Sequence, residues 1–377
     1  MRREPLIIGG GPAGSAVAIM LASAGYRPVV LERTVGPSDK VCGDFLSDDA
    51  IQLARGLGVD PVALGAQPIR RVRLIHGERV VETALPFPAF GLSRRRFDAA
   101  LLAGAEAVGV EVRTGQTVRG LTRENGEWMV RTASDHALTA ETVFLATGKH
   151  DLRELPRARL ERGAIGIKMY FALAAGPMGT LDGAIELTLF PGGYAGLQRV
   201  EDGKAVLCVA VTRAAFQRLG GGWPSLIAAI GQRSRRFTAM LADACALLPR
   251  PLAVAGIPYG YQAGSGSDGG VFRVGDQAAV IPSLTGDGMA IALHSGRLAA
   301  EMWLAGDDAV RYQLGLGRVL APRMRLAGLL HFACMSGSVQ AGLVRGAGVF
   351  PGLLRRAASR TRLPVAAPGD ARYFSGP

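Results

Sequence analysis

Hydrophobic and polar positions along the chain switch between two kinds of pattern. Pro5-Leu6-Ile7-Ile8 is a continuous apolar run, as expected of a strand covered on both faces, and it leads into Gly9-Gly10-Gly11-Pro12-Ala13-Gly14 and then the helix-length apolar stretch Ser15–Ala22. Gly25 is placed to end that helix, and Pro28-Val29-Val30-Leu31 reads as a second buried strand ending in Glu32. Further on, Leu92–Leu102 opens a helix that runs toward Val108. Ile69–Ile75 and Lys204–Val211 alternate with the period of strands in a second, mostly antiparallel sheet. Near the far end, Val271–Val274 reads as a strand, glycines follow, and a helix starts near Gly288. From Asp307 onward the pattern is helical, with Arg323, Arg325, Arg355, Arg356 and Arg360 beside apolar positions, and it closes on a Pro/Gly-rich end.

The first of these units carries recognisable chemistry. In a strand–glycine turn–helix, Gly9 permits the tight turn, Gly11 lets a pyrophosphate approach the backbone, and Gly14 lets the helix pack against the strand. The helix N-terminus then offers unpaired N–H groups and the positive dipole end to the phosphates. Glu32, eighteen residues beyond Gly14, is placed to accept both ribose hydroxyls and to repel a 2′-phosphate, with Arg33 beside it. The nucleotide expected here is FAD or NAD rather than NADP.

Composition narrows the alternatives. The 377 residues are 49% hydrophobic and 20% charged, which excludes a disordered or fibrous chain and allows two or three structural units. Cys42, Cys208, Cys245 and Cys334 have no C-x-x-C spacing, and the five histidines, His136 among them, have no ligand spacing, so neither disulfides nor a metal is expected. The net charge of +12 comes from a chain with only four lysines, a bias that reads as compositional, and no aromatic-interleaved basic motif calls for nucleic acid. Leu6–Ile8 is too short for an export signal, so a cytoplasmic location is expected. Leu326–Phe350 is too interrupted to span a bilayer, which leaves peripheral membrane contact open.

Three further segments carry a family resemblance. The run from Gly275-Asp276 through Pro282, Gly286, Gly288 and Met289 resembles the second FAD fingerprint of flavoprotein hydroxylases. Arg94-Arg95-Arg96-Phe97-Asp98 matches their Arg-x-x-(Leu or Phe)-Asp pattern, and Lys40-Val41-Cys42-Gly43 resembles a segment of geranylgeranyl reductases. The chain is thus similar to the FAD-dependent superfamily typified by p-hydroxybenzoate hydroxylase and geranylgeranyl reductase. That resemblance implies that Asp276 binds the ribityl chain, that Arg94 lies on the cofactor side, and that Cys42 and Gly43 run along the flavin. It also implies that Phe190, Pro191 and Tyr194 wall the substrate cavity, although the same residues suit an ordinary hairpin turn.

The expected fold is α/β. A Rossmann-like FAD domain is assembled from residues 1–66, 91–159 and 264–304, an inserted substrate sheet from 67–90 and 160–263, and a helical region from 305–377. The Asp-Gly that many hydroxylases carry after the late FAD-domain strand is replaced by Ala146-Thr147-Gly148, which puts direct NAD(P)H use in doubt and leaves a separate reductase as the other electron donor. Halogenation is disfavoured because the Trp-x-Trp-x-Ile-Pro motif is missing. Expectation therefore leads with hydroxylation of an apolar aromatic or polyketide-like molecule. Reduction of isoprenoid C=C bonds and a pure electron-transfer flavoprotein are the alternatives. No catalytic acid or base is identifiable, and neither is the oligomeric state.

Overall fold

The computed structural model describes residues 4–134, 137–157, 163–264 and 270–363; His136, the expected boundary at 159–160 and the Pro/Gly-rich end lie outside the described residues. Leu6–Ile8 is the middle strand of a five-stranded parallel sheet. Val29–Leu31 and Val143–Leu145 flank it, with Glu111–Arg113 and Phe272–Arg273 at the edges. The apolar run is continuous because both faces are covered. Ile7 faces the helices Pro12–Ser23 and Gly288–Leu304, whereas Leu6 and Ile8 face a small antiparallel sheet bearing Leu121, Trp128 and Val130.

The second sheet has nine strands among the described residues and is antiparallel except where Gly183–Phe190 runs parallel to Gln67–His76. Its edge reaches into the first unit. Phe45–Ser47, expected to belong to the FAD domain, pairs instead with Ala89–Gly91 of this sheet. The chain changes layers at Asp44, a non-glycine residue with φ of 56°.

The division expected at residue 305 does not follow the packing. The helix Ala309–Met335 buries Tyr312, Leu316, Leu320 and Ala327 in the same core as Phe272 and Trp303, and the Tyr312 hydroxyl donates to the Arg273 carbonyl at 3.0 Å. Only the later part of this helix, with Gly337–Val349 and Pro351–Thr361, covers the second sheet, through Cys334, Val344 and Ala347 against Leu74, Leu189 and Tyr194.

Gly296 is what lets the two long helices of the first unit meet. A β-carbon there would lie 2.3 Å from the Ala13 carbonyl oxygen. We expect Gly296→Val to destabilise the fold by about 1–3 kcal/mol, read as a lower urea midpoint by circular dichroism; an unchanged midpoint would refute the close approach.

Candidate flavin site and substrate cavity

Two helix N-termini open into one cavity. The helices Pro12–Ser23 and Gly288–Leu304 both begin without a side-chain cap, and Pro12, Ala13, Gly288 and Met289 all line a cavity of about 330 Å³. Their first-turn N–H groups have no partner within their own helices, so the cavity is supplied with donors at two points. The glycine turn is compact for the expected reason. A β-carbon on Gly14 would fall 1.9 Å from the Gly9 carbonyl oxygen, and Gly9 itself has a φ of +108°. These two glycines shape the turn without lining the cavity, whereas Gly11 lines it.

Glu32 lies on the other side of the turn, outside the cavity. Its carboxylate accepts the Gly10 N–H at 2.8 Å and the Thr34 N–H at 2.9 Å. Burial pushes its pKa up, but the hydrogen bonds from Thr34 and Gly10 outweigh that and hold it below the ordinary carboxylate value. Arg33 is exposed, so the structure does not place it with the other expected cofactor contacts. Arg94 does face the turn, lining the cavity while Asp98 grips its guanidinium at 2.6 and 2.7 Å.

Cys42, Gly43, Asp276, Gly286, Gly288 and Met289 are brought together on the cavity wall, but Pro282 is buried outside it. Asp276 also has partners that spacing did not suggest. Lys149, on the loop after Val143–Leu145, meets its carboxylate at 3.0 Å, and Arg157 donates to its backbone carbonyl at 3.0 Å. Burial would raise the Asp276 pKa, yet Lys149 and Arg157 hold it below the usual range, so it stays an ionised acceptor.

Past Gly286 the cavity becomes apolar, walled by Leu74, Leu85, Ile185, Leu187, Leu343 and Leu354. Of the three residues expected there, only Tyr194 lines it. Phe190 and Pro191 do not, because Gly183–Phe190 and Gly193–Arg199 form a hairpin in which Leu189 sits opposite Tyr194. Strand alternation sends Phe190 to the other face, into the core with Ile167 and Phe237, and Pro191 is exposed at the turn.

Tyr194 instead joins a cluster that the sequence did not reveal. The Ser283 hydroxyl lies 2.6 Å from the Tyr194 hydroxyl and 2.7 Å from that of Tyr259, and all three residues line the cavity. Three hydroxyl protons serve two contacts, so one proton is left to donate outward. Burial holds the Tyr194 phenol well above its ordinary pKa and pushes that of Tyr259 up to about 12, which keeps both protonated. His331 packs edge-on against Tyr259, with ring centroids 5.1 Å apart, and burial lowers its pKa so that the imidazole is neutral.

The donor set fits FAD: a carboxylate for the ribose, helix N–H groups for phosphates and a ring carbonyl, and an ionised Asp276 for a polyol chain. Comparison with known proteins agrees. Residues 2–143 match the family described as FAD binding domain. The chain is 26% identical to menaquinone reductase of Mycobacterium tuberculosis over 87% of its own length and 84% of that protein's. It is 25% identical to digeranylgeranylglycerophospholipid reductase 2 of Methanopyrus kandleri, over 80% of this chain and 77% of that protein. In three dimensions it is similar to the myxobacterial FAD-dependent halogenase CndH, with a TM-score of 0.74 and 21% identity, covering 93% of this chain and 90% of that one. The chain is an FAD-dependent oxidoreductase.

In this flavoprotein the Lys40–Asp44 segment is held from beneath by a buried ion pair. Lys168, from the second sheet, meets Asp44 at 2.6 Å, and both side chains are 0% exposed. Lys168 also donates to the Lys40 carbonyl, the Tyr170 hydroxyl donates to Asp44 at 2.6 Å, and the Gln198 amide donates to the Gly43 and Asp44 carbonyls. Burial and the adjacent Asp44 charge push the Tyr170 phenol far above its ordinary pKa, so it remains a donor. Lys168→Met strands the Asp44 charge and should cost about 3–5 kcal/mol, measured by urea denaturation; a loss under about 1 kcal/mol would sink this assignment.

The flavoprotein's C-terminal helix is latched to the flavin motif. Arg362 stacks over Phe87, donates to the Thr285 carbonyl and approaches Asp287 at 2.7 Å. The Leu363 N–H donates to Asp49 at 2.8 Å. Burial raises Asp287 from the ordinary 3.8 to about 7, despite Arg362. The folded carboxyl therefore keeps its proton at pH values where the unfolded one has lost it. The resulting stabilisation is fully present below about pH 4 and is lost as pH rises through about 7. Asp287→Asn should flatten the dependence of the urea midpoint between about pH 4 and 7.

Proposed function

We propose that this flavoprotein reduces carbon–carbon double bonds of an apolar, isoprenoid-type molecule. The observation that carries this reading is the single cavity, polar and donor-rich where it meets the Gly288 helix and hydrocarbon-lined beyond, with one spare hydroxyl proton at the junction. Relatives that match over most of the chain and bear reductase names support it.

Reduced FAD, when bound, supplies the hydride. Glu32, the Gly11–Ala13 backbone, Arg94 and Asp276 would hold the cofactor, with Cys42 and Gly43 forming the wall beside it. Its apolar residues exclude water and align the hydrocarbon. The Tyr259–Ser283–Tyr194 cluster holds a proton at a hydroxyl oxygen facing the cavity, the group required for the carbon that does not take the hydride. Ala146-Thr147-Gly148 stands where the hydroxylase Asp-Gly is expected, which favours a separate reductase over directly bound NAD(P)H as the electron donor.

Hydroxylation of an apolar aromatic, the leading expectation from sequence, remains the second reading. It is favoured by the same hydroxyl cluster, which suits a phenol oxygen.

Anaerobic, dithionite-reduced protein mixed with a polyprenyl quinone distinguishes the two. The reductase reading predicts return of the oxidised-flavin absorbance without oxygen and a product gaining two hydrogens in its prenyl chain. Reoxidation by oxygen alone, with a product gaining one oxygen atom, would establish hydroxylation instead. Tyr259→Phe is expected to lower turnover by about 10²-fold with FAD content unchanged.

A further inference from the structure

The C-terminal helices present a surface that the fold does not use. Between Ala309 and Leu363 there are nine arginines and no aspartate or glutamate, so a chain of net charge +12 concentrates nine of those charges in one segment and leaves +3 for the remainder. A compositional bias toward arginine does not account for the missing acids.

The same segment carries the largest apolar exposures of these helices. Leu329 is 70% exposed, Phe332 68%, Val349 70%, Phe350 62% and Leu353 59%. Three of these five have an exposed arginine about one helical turn away: Arg325 before Leu329, Arg345 before Val349, Arg356 after Leu353. Long arginine side chains at that distance can reach lipid phosphates while their apolar neighbours enter the acyl region.

No single helix among the described residues is long and apolar enough to cross a bilayer, but Ala309–Met335 and Gly337–Val349 are bent by 108° at their junction and together are apolar enough to pass as a broken span. A bend of that size suits helices lying in the interface. Other residues of these helices line the cavity, Leu330 and Cys334 from the first and Leu343 from the second, joined by Leu354 of Pro351–Thr361.

We propose that the helical cap from Ala309 to Thr361 is a monotopic docking surface for an anionic lipid bilayer. Positive charge complements the lipid headgroups, and the exposed phenylalanines and aliphatic residues insert beside them. Docking itself does not depend on the reductase reading, although a membrane-borne apolar molecule would meet the cavity through this wall.

The test is flotation of the FAD-loaded full chain with vesicles of phosphatidylcholine alone or mixed with phosphatidylglycerol. The protein should float with the anionic vesicles and much less with the neutral ones. Phe332→Ser/Phe350→Ser should weaken partitioning by about tenfold to a hundredfold with unchanged flavin absorbance and circular dichroism. Arg355→Glu/Arg356→Glu should release the protein from anionic vesicles as well. Three outcomes would overturn the proposal. One is absence of flotation. Another is binding that the serine variant leaves intact and salt abolishes completely. The third is a dimer in solution that the serine variant dissociates while neither protein floats, which would make this face a contact between copies of the chain. Any of these leaves the anaerobic assay of alkene reduction unaffected.

Discussion

The buried contact between Asp44 and Lys168 is the constraint on which the site depends. It lies where the chain leaves the parallel sheet and enters the antiparallel one, and it joins a loop of the first to a strand of the second. Two charges removed from water are held only where their hydrogen-bonding capacity is met. Tyr170, the Arg94 N–H and the Lys40 carbonyl meet it here, and Gln198 secures the adjoining backbone carbonyls. The position of Cys42 and Gly43 beside the cavity follows from this arrangement. An apolar pair of similar volume could join the sheets equally well, but it would not fix the backbone of residues 40–44.

Around that anchor, the polar end of the cavity is built largely from backbone. Two uncapped helix starts converge because Gly296 lets the Gly288 helix approach the Ala13 carbonyl, while Gly14 against the Gly9 carbonyl keeps the turn before the other helix tight. Such donors cost no side-chain ordering when an anionic group binds. The ionised side chains then serve separate purposes: Glu32 is kept charged by local N–H groups, and Asp276 by Lys149 and Arg157.

The C-terminal helices perform two tasks with different faces. Leu330 and Cys334 close the hydrocarbon part of the cavity, while Leu329 and Phe332, on the same turns, point to solvent. Arg362 ties the end of this region to Asp287 at the start of the Gly288 helix. The cavity wall and the flavin motif are therefore mechanically linked, and the half of the Ala309–Met335 helix that packs in the first core carries that link inward.

Local signals in the sequence determined the βαβ unit, the Gly9–Glu32 fingerprint, the Arg94 helix start and the Asp276–Met289 segment, because each rests on residues close together in the chain whose spacing is dictated by turn and helix geometry. They also made the antiparallel sheet visible through period-two alternation. Tertiary structure alone decided which residues share a site. The partners in Lys149–Asp276, Lys168–Asp44 and Tyr194–Ser283 are separated by 127, 124 and 89 residues, and no periodicity encodes such pairings. Strand register decided that Tyr194 faces the cavity while Phe190 does not. Helix packing likewise decided which arginines of the tail pair inward, as Arg362 does, and which stand free at the surface to set its charge.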